Sequence, residues 1–334
     1  KIGFLFSADD SPTRARLIKE LAAKFAAAKF YQYEALSGDA SQIAGDGVKL
    51  VADFAKADRI LSLDCDFAGT DSQGPVTAFF DRRKPEGKAY DQKPDPSKMN
   101  RLYSVEAAYS VTGGMADHRL RVSPSQVQAI AAAIARELGA NTGAALSTPA
   151  VSDFKQVEWI KGVAADLKAN AGKSLVLAGS RQTPAVQQLA LAINQALGNL
   201  GEGKPLLALQ GETKGLGTLA TLKQDIDAGS IETLVLLTPS NPLYDAPADL
   251  GFAESFAKLK TSIHLGERTD ATAHAATWHV PAAHYLESWA DTRSARGVYT
   301  VVQPTILPLY PDCVSELELL LALLSEDGKL ISGE

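Results

Sequence analysis

Ser174-Leu175-Val176-Leu177-Ala178, then Gly179-Ser180-Arg181-Gln182, then Thr183-Pro184, is the stretch that decides the fold. Its first part is almost continuously apolar, which a strand needs when both faces of its sheet are covered. Thr183 suits a helix cap, and Pro184 suits the first helical position. Val186, Leu189, Ile193 and Leu197 then recur at helical spacing until Gly198 stops the run. Strand, short turn and amphipathic helix in this order predict one half of a parallel βαβ unit.

The same device appears elsewhere. Residues 2–6 read as a strand, and Ser11-Pro12 opens a helix with Leu17, Leu21 and Phe25 on one face. Ser123-Pro124 opens another, with Val127, Ile130, Ile134 and Leu138 ahead of Gly139. Val157, Ile160, Val163, Ala164 and Leu167 form a further helix face. Residues 59–63, 102–105, 206–209, 233–237 and 262–265 read as short buried strands. The expected fold class is α/β, with doubly wound parallel sheets. Residues 81–98, crowded with Pro, Gly and charge, read as a long solvated excursion. Residues 139–149 read as a crossing between domains, and a length of 334 residues fits about two of them.

Lys plus Arg is 33 and Asp plus Glu is 39, a net charge of −6. A mildly acidic chain without a basic run argues against nucleic acid or an anionic membrane surface as partner. The longest apolar run is seven residues, Ala129 to Ala135, far below the roughly 20 that span a bilayer. The chain begins with Lys1 and lacks an initiator Met, so it is expected to be a processed or excised piece of something longer. Cys65 and Cys313 cannot by themselves hold an iron–sulfur cluster, which usually takes four cysteines. Buried free thiols are the expectation for both.

Several motifs tempt a functional reading. Ala171-Gly172-Lys173-Ser174 ends like a P-loop, but Leu167 stands where the pattern wants Gly, and the strand follows the Lys. A helix end leading into a strand is the better reading. Gly215-Leu216-Gly217-Thr218-Leu219-Ala220 matches G-x-G-x-x-A, yet the intervening polar residues make a tight strand-to-helix turn impossible. It reads as a flexible loop. His264, His274, His279 and His284 cluster in sequence with acids nearby, but Pro281 breaks any helix that would align them. Hydrogen-bonded loop histidines are expected, with His274, His279 and His284 as the weak metal candidates. Thr238-Pro239-Ser240-Asn241-Pro242 and Asp64-Cys65-Asp66 each follow a strand, the station where open α/β sheets bind ligands. No Ser-His-Asp or Cys-His set declares itself.

Residues 57–67, Met99 through Glu106, Thr112-Gly113-Gly114-Met115-Ala116-Asp117-His118-Arg119, and His279 through Leu286-Glu287-Ser288-Trp289 to Asp291 carry a resemblance. Gln303-Pro304 and Pro308-Leu309-Tyr310 complete it. Together they resemble the molybdopterin-oxidoreductase-like half of the large iron–sulfur subunit of alternative complex III. Related chains are also called iron–sulfur-cluster-containing hydrogenases or molybdopterin oxidoreductases. The resemblance implies two Rossmann-like domains, the second (49–148) inserted into a discontinuous first (1–48 plus 149–334). It implies a part in a quinol-oxidising membrane complex on the exported, periplasmic face. The iron–sulfur clusters would belong to a C-terminal half beyond Glu334, and the partners would be that half and other subunits.

Enzymes of the wider superfamily hold molybdenum through Cys, selenocysteine, Ser or Asp. No Cys lies between Leu36 and Lys56, and only Ser37 and Ser41 offer hydroxyls there. The resemblance therefore implies a non-catalytic scaffold without a cofactor of its own in this chain. By the same analogy Asp64, Asp66, Ser240 and Asn241 occupy vestigial positions for the nucleotide ends of pterins. The alternatives are a molybdopterin-dependent oxidoreductase using Ser37 or Ser41, a nucleotide-dependent one using the Gly215 loop, and a metal-binding module built on His274, His279 and His284.

Overall fold

The computed structural model describes residues 1–35, 44–45, 48–71, 74–84, 96–142, 150–211, 215–294, 297–326 and 328–329. The chain divides into two compact units, the first made of residues 1–37 and 211–334 and the second of residues 38–210. The first unit opens with β1 (Ile2–Phe6), α1 (Pro12–Lys24) and β2 (Lys29–Gln32).

The second unit then runs through β3 (Val48–Ala52), β4 (Arg59–Leu63), α2 (Thr77–Asp81), β5 (Arg101–Glu106), α3 (Val111–Gly114) and β6 (His118–Arg121). It continues with α4 (Pro124–Glu137), α5 (Phe154–Ala169), β7 (Ser174–Ala178), α6 (Pro184–Ala196) and β8 (Leu206–Gln210). The chain returns to the first unit with α7 (Leu219–Asp227), β9 (Thr233–Leu237), α8 (Pro242–Asp245), α9 (Phe252–Phe256), β10 (Thr261–Gly266), α10 (Ala271–Ala275) and β11 (Trp278–Pro281). A ribbon of β12 (Ala290–Arg293) and β13 (Tyr299–Val302) precedes the last helix, α11 (Glu316–Leu324).

In the first unit a parallel sheet runs in the order β11-β10-β9-β1-β2. Strand alternation sends Phe4, Phe6, Val235 and Leu237 to one face, where Leu17, Ile18 and Leu21 of α1 and Leu320 of α11 cover them. Leu5, Leu234 and Leu236 face the other side, under Leu222 and Ile226 of α7 and Phe252 and Phe256 of α9. The sheet is wound on both faces, which is why its strands read as apolar throughout. A capping box starts α11: the Ser315 hydroxyl accepts from Glu318 N at 3.2 Å, and the Glu318 carboxylate accepts from Ser315 N at 2.8 Å. Ser315→Ala is expected to lower the stability of this unit by about 1 kcal/mol. A lower denaturant midpoint at unchanged m-value would register it.

In the second unit a parallel sheet runs β6-β5-β4-β7. Leu61, Leu63, Val105 and Val176 pack beneath Val127, Ile130 and Ile134 of α4, Ile160 and Val163 of α5, and Val186, Leu189 and Ile193 of α6. Ile60, Leu102, Leu175 and Leu177 face the opposite side, where Phe54, Phe67 and Phe79 form a second core. Phe54 and Phe67 lie 4.8 Å apart between ring centroids, and Phe67 meets Phe79 edge-on at 5.2 Å.

The α/β class and the parallel sheets expected from the strand–turn–helix repeats are present. Three organisational readings change. The insertion runs from 38 to 210, not from 49 to 148, because β7 pairs in parallel with β4 over five residues and so belongs to the second sheet. Residues 139–149 are accordingly a connection inside the second unit, since α4 and α5 on either side share one core; positions 143–149 lie outside the described residues. Residues 206–209 do not form a buried parallel strand: β8 pairs antiparallel with β3, and Ala208 is exposed. The excursion at 81–98 is described only at its ends, and there Arg82 pairs with Asp58 at 2.6 Å and Arg83 with Asp117 at 2.9 Å. Among the described residues no helix is long and apolar enough to cross a membrane.

Candidate functional site

Open parallel sheets bind ligands beyond the carboxyl ends of their strands, where the winding changes direction. In the first unit that point lies between β1 and β9. The backbone donors beside it are already taken by side chains of the chain itself. The Ser11 hydroxyl caps α1 by accepting from Arg14 N at 3.0 Å. Asp291, on β12, accepts hydrogen bonds from the Ser11 hydroxyl, from the Thr13 hydroxyl at 2.7 Å and from Thr13 N at 3.2 Å. Asp9 accepts from Ser11 N at 2.8 Å, and Glu34 accepts from Ala8 N at 2.7 Å. A helix N-terminus attracts anions; here a carboxylate from β12 occupies it.

Beneath that loop lies Arg14, only 3% exposed. Its Nε donates to Glu316 Oε1 at 2.6 Å, its guanidinium donates to the Ser7 carbonyl at 3.0 Å, and it sits 5.0 Å over the Phe6 ring. Burial pushes the Glu316 carboxyl above the usual range, and Arg14 opposes the shift.

A cavity of about 360 Å³ opens beyond β9, β10 and β11. Thr238, His264, Glu267, Arg268, Asp270 and Glu316 contribute its polar lining. Next to it, Ser240 and Asn241 both close turns. Ser240 N donates to the Thr238 hydroxyl at 3.1 Å. The Asn241 side-chain carbonyl accepts from Thr272 N at 3.1 Å and from its hydroxyl at 2.7 Å, fixing the start of α10.

In the second unit the corresponding point lies between β4 and β7, and Asp64 and Asp66 stand there. Asp64 has φ 52°, and its carboxylate accepts from the Gln182 amide at 2.7 Å. Asp66 accepts from Thr112 N at 2.9 Å and from Thr70 N at 3.2 Å. Burial pushes the Asp66 carboxyl up, but the Thr112 and Thr70 hydrogen bonds outweigh it and hold the pKa below the usual value. Asp71, which sequence reading missed, bridges the two strand ends. It accepts from Asp66 N at 2.9 Å and from both the hydroxyl and the backbone N of Ser180. Only the folded chain brings Asp71 to Ser180, so spacing carries no signal for it.

Burial drives the Cys65 thiol well above its ordinary pKa, and Asp71, Asp66 and Asp64 push in the same direction. A thiol held neutral in this way does not suit a metal thiolate. Both cysteines are free; Cys313 is only half-buried, against expectation, because it lies in a loop ahead of α11.

The histidines do not assemble as the sequence proposed. His279 pairs with His264 across β10 and β11, their Nδ1 atoms 3.2 Å apart. His274 is exposed on α10, and the His284 ring accepts from Leu286 N at 3.3 Å. Two of the four therefore lie on strands and one on a helix, not in loops. Among the described residues no group of three His, Cys, Asp or Glu is placed to hold a metal ion. Ser37 and Ser41 lie outside the described residues. The Gly215 segment is less free than a loop: Gly217 N donates to the Phe30 carbonyl at 2.9 Å, and Thr218 caps α7. A Cβ at Gly217 would come within 2.6 Å of the Tyr31 ring, so this glycine serves close packing. Gly172, in the P-loop-like stretch, has φ +77° at the end of α5 and leads into β7, as read.

A bis-pterin dinucleotide, the group bound by enzymes of the superfamily that the sequence resembles, asks for free backbone donors and a wall without excess negative charge. The described crevices fit it poorly. Asp291, Asp9 and Glu34 hold the donors of one, and Asp64, Asp66 and Asp71 crowd the other. The cavity lining adds Glu267, Asp270 and Glu316 against Arg268.

No protein-family model matches the chain, and no curated protein matches it in sequence. Among solved structures it is similar to acetylene hydratase from Pelobacter acetylenicus, with a TM-score of 0.63 at 11% identity, over 98% of this chain and 55% of that one. It is also similar to a chain of the formyltransferase/hydrolase complex FhcABCD from Methylorubrum extorquens, with a TM-score of 0.53 at 12% identity, over 97% and 90%. The chain thus spans about half the length of acetylene hydratase. At such low identity the likeness speaks for the fold alone, α/β with parallel sheets and molybdopterin-oxidoreductase-like.

Proposed function

We propose that this chain is a non-catalytic scaffold module, similar to the cofactor-free molybdopterin-like part of a subunit in a quinol-oxidising electron-transfer complex. The observation that carries the reading is the self-occupied strand-end crevice. Asp291 takes the amide and hydroxyls at the start of α1, and Asp71 ties the Asp66 loop to Ser180. A crevice braced by its own carboxylates retains the architecture and gives up the anion site. On this reading Asp64, Asp66, Ser240 and Asn241 are vestiges of cofactor stations that now close turns.

An interaction role also has physical support. Val298, Tyr299, Val301, Leu307, Leu309 and Tyr310 are each at least 63% exposed within a span of 13 residues. Apolar surface concentrated in this way is characteristic of protein contacts. Its partners on this reading are a cluster-bearing C-terminal half and neighbouring subunits at the exported face of a membrane. Iron–sulfur clusters would belong to that half.

The test is the metal and pterin content of the purified natural protein, by elemental analysis and by pterin fluorescence after oxidation. Iron with only traces of molybdenum, tungsten and pterin is the expected result. One pterin pair and one molybdenum or tungsten per chain would overturn the reading and make the crevices a catalytic site.

A further inference from the structure

His264 and His279 face each other directly in the β10–β11 register, with β11 at the edge of the sheet. Their rings stack 5.2 Å apart, with the two Nδ1 atoms at 3.2 Å. His264 is 1% exposed, and its ring lies so close to Gly266 that a Cβ there would meet it at 2.5 Å. Two imidazole nitrogens at this separation need one proton between them. With none, two lone pairs oppose each other; with both rings charged, two cations do.

We propose that His264 and His279 share a single proton between their Nδ1 atoms and form an acid-sensitive latch on the edge strand β11. At neutral pH the shared proton ties β11 to β10. The first proton taken up goes to the bare Nε2 of the donor ring and leaves the shared bond in place. Once the acceptor Nδ1 is protonated as well, both rings are cations, and β11 loosens together with the cavity wall that follows it. The wall is connected: Ala283 N donates to the Val314 carbonyl and Val314 N to the Pro281 carbonyl, each at 3.0 Å. Val314 leads into the cap of α11, which carries Glu316. Release of β11 therefore reaches the Arg14–Glu316 pair.

The surrounding charges set the direction. Burial lowers the His264 pKa first of all, the Asp270 carboxylate opposes this, and His279 lowers it further. Glu267, Arg268 and Glu316 line the same cavity, with Glu316 held by Arg14 of α1. His274 on α10 is exposed, Asp245 on α8 accepts from Asn241 N, and β9 carries no titratable residue. A base whose pKa is lowered in the closed form stabilises that form above the ordinary histidine pKa of about 6.5 and loses the contribution as pH falls. A one-proton linkage weakens closure by up to about tenfold per pH unit.

Hydrogen exchange on the full chain between pH 8 and pH 5, expressed as protection factors, tests the latch. Protection of the amides of Trp278, His279 and Val280 should be level above about pH 6.5 and fall below it by up to tenfold per unit. His279→Asn should flatten that dependence. Imidazole ¹⁵N spectra of the unmodified protein need no variant to fold, and at pH 7.5 they should show one protonated and one bare Nδ1 in the pair. Two bare Nδ1 atoms, or β11 protection that tracks the rest of the sheet at every pH, would overturn the latch. The metal and pterin measurement above has no bearing on either readout.

Discussion

Replacing Arg14 with leucine is expected to destabilise the first unit by about 3–5 kcal/mol, because it leaves the Glu316 carboxylate without its partner. Arg14 is 3% exposed, donates to Glu316 at 2.6 Å and to the Ser7 carbonyl at 3.0 Å, and covers the Phe6 ring. A surface ion pair would contribute little. Here the guanidinium ties α1 to the start of α11 and to the loop after β1. For a unit of this size the loss corresponds to roughly 10 °C in melting temperature.

The deficit should also depend on pH. Burial already raises the Glu316 pKa, and without Arg14 to oppose it the folded carboxyl rises further above its unfolded value. A carboxyl raised on folding contributes stability below its unfolded pKa of about 4.3 and loses it as pH climbs. The Arg14→Leu variant should therefore fall further behind the parent protein at pH 8 than at pH 5. Arg14→Leu with Glu316→Leu should recover most of the loss, since a matched apolar pair replaces a buried ion pair at little cost. A single variant that melts within about 2 °C of the parent would show that the pair is not a structural tie.

Arg14 also shows where sequence reading stops. Leu17, Leu21 and Phe25 marked the buried face of α1 from their spacing alone. Arg14 lies three residues before Leu17 on that same face, so its burial was legible in principle. Its partner, 302 residues away, was not. The strand–turn–helix units were readable because a strand covered on both sides must be apolar throughout, as 174–178 is. The antiparallel β3–β8 pairing escaped because 206–209 carries the same apolar run while leaving Ala208 exposed.

The candidate site divides in the same way. Asp64, Asp66, Ser240 and Asn241 could be placed at strand ends from local pattern. Ser240 is held locally by Thr238, but what the other three do depends on Gln182, Thr112 and Thr272, which only the fold brings near. Closeness in sequence groups His279 with His274 and His284 as candidate metal ligands. Strand register, which sets what lies opposite what, gives it His264 instead.

The second large effect concerns the crevice of the other unit. Gly179 directly follows β7, and a Cβ there would fall on the Asp64 carbonyl oxygen, well inside van der Waals contact. The obstacle is backbone, not a side chain that can swing aside. Asp64 already holds φ 52°, fixed by its N donating to the Val105 carbonyl at 2.7 Å. Gly179 is fixed as well: its N donates to the Leu63 carbonyl at 3.0 Å, and its carbonyl accepts from the Gln187 amide at 2.6 Å. Neither strand end can yield without breaking the β4–β7 junction. Gly179→Ala is therefore expected to cost about 3 kcal/mol or more, at or beyond the upper end of ordinary overpacking.

Ser180→Ala supplies the contrast. It removes the hydroxyl that donates to Asp71 but keeps the Ser180 N–H bond to the same carboxylate, so a loss near 1 kcal/mol is expected. Thermal unfolding of both variants measures the difference. If Gly179→Ala melts no lower than Ser180→Ala, the two strand ends have room to part. The crevice would then be a space able to open for a ligand, and the proposal that its own carboxylates hold it shut would lose its physical basis.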